Sequence, residues 1–122
     1  MTQLDVRQEV FRRLRGLLKD VTKGLKVKAD APGQFLVDTR HIMSNKQALN
    51  FGGVRSGKDY VSFYLMPVYI YQELLEGISP ELRARMQGKS CFNFRSVNED
   101  LFAELEKLAR RSLERYKKEG YI

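Results

Sequence analysis

The sequence predicts an α+β domain, a two-layer sandwich in which an antiparallel sheet of about five strands carries an N-terminal and a C-terminal helix on one face. Three observations predict it. Apolar residues recur at three- and four-residue steps from Leu4 to Val21 and again from Leu101 to Tyr116, and short alternating segments divided by turn residues lie between them. Two helices with one apolar stripe each most economically cover the same face of one sheet, leaving the other face wholly or partly open.

The first stripe is Leu4, Val10, Phe11, Leu14, Leu17, Leu18 and Val21, with Gly24 as a stop and a mixed but mainly basic outer side (Asp5, Glu9, Arg12, Lys19, flanked by Arg13, Arg15 and Asp20). Residues 25–29 and 34–39 alternate around a turn at Asp30-Ala31-Pro32-Gly33, which predicts a hairpin. A polar connection at Met43 to Lys46 leads to a second strand pair, 48–54 and 59–66, joined at Arg55-Ser56-Gly57-Lys58. Pro67 ends the latter strand because proline cannot donate into a ladder. A short helix is expected over 68–76, closed by Gly77. Ser79-Pro80-Glu81 supplies an N-cap, a first-turn proline and an early acid for another, running to about Gln87. Lys89 to Arg95 alternates as a further strand. Ser96-Val97-Asn98-Glu99 has the spacing of a capping box for the last helix, whose stripe is Leu101, Phe102, Leu105, Leu108, Ala109, Ser112 and Tyr116.

Length and composition bound the function. The 122 residues are enough for one core, so one domain over 1–122 is expected. One cysteine excludes an internal disulfide, and the N-terminal residues lack a signal-peptide pattern, so a cytoplasmic location is expected. The longest apolar run, Val61 to Tyr71, contains Ser62 and Pro67 and falls far short of the roughly 20 residues a membrane helix needs, so no membrane association is expected. Twenty-two basic against 15 acidic residues give a formal charge of +7, which favours anionic partners without choosing among them. A solvated surface that aids solubility is the simpler meaning of that charge.

Two stretches, Tyr60-Val61-Ser62-Phe63-Tyr64-Leu65-Met66-Pro67-Val68-Tyr69 with Leu75-Glu76-Gly77-Ile78-Ser79-Pro80-Glu81-Leu82, and Met86-Gln87-Gly88-Lys89-Ser90-Cys91-Phe92-Asn93-Phe94, resemble the YdhG-like family of small bacterial domains. The resemblance runs over roughly Phe51 to Tyr116. It implies a frataxin-like sandwich and, through one relative, a frataxin-like iron chaperone with an acidic ridge on the first helix and adjoining strand. It supplies no catalytic residue.

Iron favours several converging oxygen ligands. The first helix offers Asp5, Glu9 and Asp20 among Arg7, Arg12, Arg13, Arg15, Lys19 and Lys23, so no metal ligand and no cofactor is assigned. Cys91 is the one thiol, with Lys89 as its nearest cation by alternation, and a small strand residue is its expected role. His41 has no evident Asp or Ser partner. Gly88-Lys89-Ser90 lacks the upstream glycine and following helix of a phosphate loop.

No acid, base and nucleophile set is visible, so a non-enzymatic binding or adaptor domain is expected. The candidate ligand face follows from alternation. If Val61, Phe63, Leu65, Phe92 and Phe94 point to the helices, then Tyr60, Ser62, Tyr64, Cys91, Asn93 and Arg95 point away. That face suits an unknown small polar ligand or an acidic protein partner. Phosphate or nucleic acid is a further alternative through the basic helix faces with Arg83, Arg85, Lys89 and Arg95. The sequence leaves open whether the short helices at 68–87 fold across that face and turn its tyrosines into a second small core, an arrangement slightly preferred over an open face.

Overall fold

The computed structural model describes residues 2–122. Helix α1 spans Gln3–Val21 and opens on a capping box: the Thr2 hydroxyl accepts from the Asp5 amide at 3.1 Å while the Asp5 carboxylate accepts from the Thr2 amide at 3.2 Å. Val10, Leu14, Leu18 and Val21 are its buried residues. Phe11 and Leu17 are half-buried, and Leu4 is exposed.

Six strands follow: β1 (Lys26–Ala31), β2 (Gln34–Ile42), β3 (Ala48–Ser56), β4 (Val61–Leu65), β5 (Met86–Gln87) and β6 (Cys91–Phe94). All pair antiparallel in the order β1-β2-β3-β4-β6-β5. The β1–β2 turn is only Pro32-Gly33, with Gly33 at φ +78°, the value a type II turn demands after proline.

The register settles which side chains share a face. Phe35, Val54, Phe63 and Phe92 stand opposite one another across β2, β3, β4 and β6, and all four are fully buried beneath the helices. Helix α4 (Glu99–Lys118) completes that layer. Its buried residues are Leu101, Phe102, Leu105, Leu108, Ala109, Ser112 and Tyr116, the stripe the sequence predicts. Its cap differs: Asn98 accepts from the Leu101 amide at 3.0 Å, while Glu99 leaves the expected box to pair with Arg13 of α1. An interhelix ion pair has won over a local cap. Buried Tyr116 donates its hydroxyl to the Asn50 carbonyl at 3.0 Å, fastening α4 to β3.

The segment after β4 departs most from expectation. The single short helix breaks at Tyr71 into α2 (Met66–Ile70) and a 3₁₀ turn (Gln72–Leu75), and α3 is one turn long (Pro80–Arg83). Residues expected to continue that last helix instead form β5, the sixth strand. These pieces pack on α4, not across the outer sheet face. Ser79 gives its amide and hydroxyl to Glu104, both at 2.6 Å, and the Arg115 guanidinium lies 3.9 Å from the Tyr71 ring centre. Val68, Leu75 and Leu82 thereby join the one buried core that holds α1, α4 and the inner sheet face. The outer face is open, and the expected second core around its tyrosines does not form.

Candidate functional site

Alternation and register bring the expected site residues onto the outer face. Ser62 stands opposite Asn93 and Tyr64 opposite Cys91, while Tyr60 and Arg95 flank the same two strands. Ser62, Tyr64, Cys91, Asn93 and Tyr60 are half-buried; Arg95 is exposed. They divide into two hydrogen-bonded groups.

The first is centred on β3. Tyr64 donates its hydroxyl to Asn50 Oδ1 at 2.5 Å, and Asn50 Nδ2 donates to Asp38 Oδ1 and to the Val37 carbonyl, each at 3.0 Å. Burial, with smaller contributions from Cys91 and Asp38, pushes the Tyr64 phenol up to about 12, so Tyr64 stays a neutral donor. A bulge makes this possible. Two β3 residues, Phe51 and Gly52, occupy the space opposite Val37 alone, which brings Asn50 opposite Asp38.

The second group lies toward the β5 edge. Ser62 Oγ meets Asn93 Oδ1 at 2.6 Å, Asn93 Nδ2 donates to Gln87 Oε1 at 2.8 Å, and the Tyr60 hydroxyl reaches the same oxygen at 3.2 Å. The Asn93 amide also donates to the Arg85 carbonyl at 2.8 Å, which puts Arg85 in line with Asn93 across the strands. Tyr60, Arg85, Asn93 and Arg95, with Ala84 and Met86, line a concavity of about 190 Å³ that contains no carboxylate. Tyr60, Asn93 and Arg95 are thus brought together, whereas Ser62, Tyr64 and Cys91 lie on the adjoining sheet. Gln87 was not foreseen and Arg85 only as part of a basic cluster, because β5 is too short to show a pattern.

Charge is distributed unequally. Arg12, Arg13, Arg15, Arg110 and Arg115, on α1 and α4, all hold carboxylates, and the other three helix arginines, Arg7, Arg83 and Arg111, donate to backbone carbonyls. Arg40, Arg55, Arg85 and Arg95, in or beside the strands, are exposed and hydrogen-bond no side chain or carbonyl among the described residues. Asp38 is the strand carboxylate on the outer face. Asp59 lies across a separate cleft from Arg95 without pairing.

The other candidates are occupied by structural contacts. Burial pushes the Cys91 thiol up, against a smaller opposing effect of Ser90, which disfavours a nucleophilic thiolate. The His41 ring rests 4.6 Å from that of Tyr121. The carboxylates on which an iron role would draw are engaged: Asp5 in its cap, Glu9 with Arg12, Asp20 with Lys23 and Asp30 with Arg15. Among the described residues no three His, Cys, Asp or Glu side chains group closely enough to hold a metal ion. No described helix is long and apolar enough to cross a membrane. No family model, no curated protein and no solved structure matches the chain.

Proposed function

We propose that this chain is a non-enzymatic binding domain that takes an anionic ligand on its open sheet face, at the concavity between Tyr60, Arg85, Asn93 and Arg95. One observation carries the reading: helix arginines are partnered, while the arginines around the sheet are exposed and unpaired. Side-chain pairing lowers the attraction a guanidinium exerts on a ligand, so the arginines left to recruit an anion lie on the sheet side. Arg85 and Arg95 supply paired N–H donors suited to phosphate or carboxylate oxygens. The Tyr60 hydroxyl and the Asn93 side-chain amide are held nearby by Gln87, so the ordering left to do on binding falls on the two arginines.

The test is titration calorimetry with inorganic pyrophosphate as probe, in wild type and in the Arg85→Ala, Arg95→Ala double variant. The wild type binds and the double variant loses at least tenfold in affinity, with an unchanged melting temperature. Equal affinity in the two proteins removes the concavity as the site.

A further inference from the structure

The exposed cations are not confined to the concavity. Arg55 lies in a cross-strand row with Gln34, Ser62 and Asn93, and the Arg85 backbone continues that row on the far side of Asn93. The Arg55 and Arg85 backbones are therefore three strand spacings apart, ~14 Å. Arg40 and Lys26 extend the exposed positive charge to β2 and β1. Between the cations lie the half-buried rings of Tyr60 and Tyr64, each tethered through its hydroxyl, and the amides of Gln34, Asn50, Gln87 and Asn93.

We infer that the outer face binds single-stranded nucleic acid, its backbone running from the Arg85–Arg95 concavity toward Arg55 with bases set against the tyrosines. This rests on the anion-binding reading above and names its ligand class. Charge complementarity selects a polyanion. The alternation of guanidinium groups with aromatic rings and amides selects nucleic acid over an acidic peptide, because bases offer π-faces and hydrogen-bonding edges that carboxylate side chains lack. An open sheet presents such groups to unpaired bases, whereas a duplex keeps its bases stacked inside.

Arg55 separates the two proposals, since it lies outside the concavity. In fluorescence anisotropy with a labelled mixed-sequence 12-nucleotide single strand, three phosphate contacts give a log–log salt slope of about −2, at roughly −0.7 per contact. Arg55→Ala then weakens the oligonucleotide severalfold and flattens the slope by about 0.7, while pyrophosphate affinity stays at the wild-type value. Tyr64→Leu weakens the oligonucleotide about tenfold without changing the slope. An oligonucleotide affinity insensitive to Arg55→Ala overturns the inference and leaves the anion site standing. So does competition by a duplex or by polyglutamate as effective as that by unlabelled single strand. Failure of both pyrophosphate and oligonucleotide to bind overturns both readings.

Discussion

The two faces of this sheet are built from the same strands and differ in almost everything else. On the inner face, Phe35, Val54, Phe63 and Phe92 form a row that is wholly excluded from water. One residue to either side along the strands, the outer face shows the row Leu36, Gly53, Tyr64 and Cys91 and the row containing Arg55. The layers above and below handle charge in opposite ways. The helices place a partner beside each of their arginines, whereas the outer face leaves arginine unpaired around a small amide and hydroxyl network. A surface needed only for solubility has no reason to separate its acids from its bases in this manner. The inner face accounts for the fold, and the outer face is where binding is to be sought.

The largest effect that separates the faces is expected from adjacent strands. Phe63→Ala empties a fully buried site and costs about 3–5 kcal/mol in denaturant unfolding. Arg55→Ala, opposite Ser62 on the other face, changes stability by no more than about 0.5 kcal/mol. A cost for Arg55→Ala comparable to that for Phe63→Ala would mean that the outer face is structural after all.

A sharper comparison comes from neighbouring glycines, one on each face. A Cβ at Gly52 would stand 2.5 Å from the Tyr64 carbonyl oxygen, a backbone atom of the paired strand, and 3.4 Å from Leu65 Cδ2. Strand β4 has to move. At Gly53 the nearest atom, also at 2.5 Å, is Leu36 Cδ2, the far end of a half-buried side chain, and the Phe35 carbonyl is at 3.1 Å. Gly52→Ala is therefore expected to destabilise by about 1–3 kcal/mol, and Gly53→Ala to stay within about 1 kcal/mol of wild type, since a methyl also lowers the entropy of the unfolded chain. Melting both variants checks this. Equal losses would show that Leu36 is as immobile as the backbone.

The same contrast explains what the sequence made legible. Periodicity over many residues marks a buried face reliably, so the α4 stripe and the inward set Val61, Phe63, Leu65, Phe92 and Phe94 follow from spacing alone. Alternation then assigns Tyr60, Ser62, Tyr64, Cys91, Asn93 and Arg95 to the other side. Features decided by distant contacts were not legible. Glu99 gives up a local cap for Arg13, and Ser79 and Glu104 hold the short helices against α4. Met86-Gln87 becomes a strand because β6 offers an edge, and a two-residue element has no period. Placing Arg85 and Gln87 beside Asn93 depended on that edge.

The smallest effect concerns the proton that the outer face holds. Tyr64→Phe removes the hydrogen bond to Asn50 and costs about 0.5–1.5 kcal/mol at neutral pH. Its diagnostic value lies at high pH. The Tyr64 phenol titrates near 10 in an unfolded chain and is pushed up to about 12 here, so the folded state binds this proton more tightly. The stabilisation is complete below pH 10 and is lost as pH rises from 10 toward 12. Tyr116 is shifted upward mainly by burial, with a smaller contribution from Tyr64 itself, and adds a loss of the same sign, most of it common to both proteins. The difference between wild type and Tyr64→Phe therefore reports chiefly on Tyr64. The melting temperature of wild type is expected to fall more steeply between pH 10 and 12 than that of the variant. Parallel profiles would mean that the tyrosine on the open face is free to ionise, and that the Asn50 network does not hold its ring in place for a ligand.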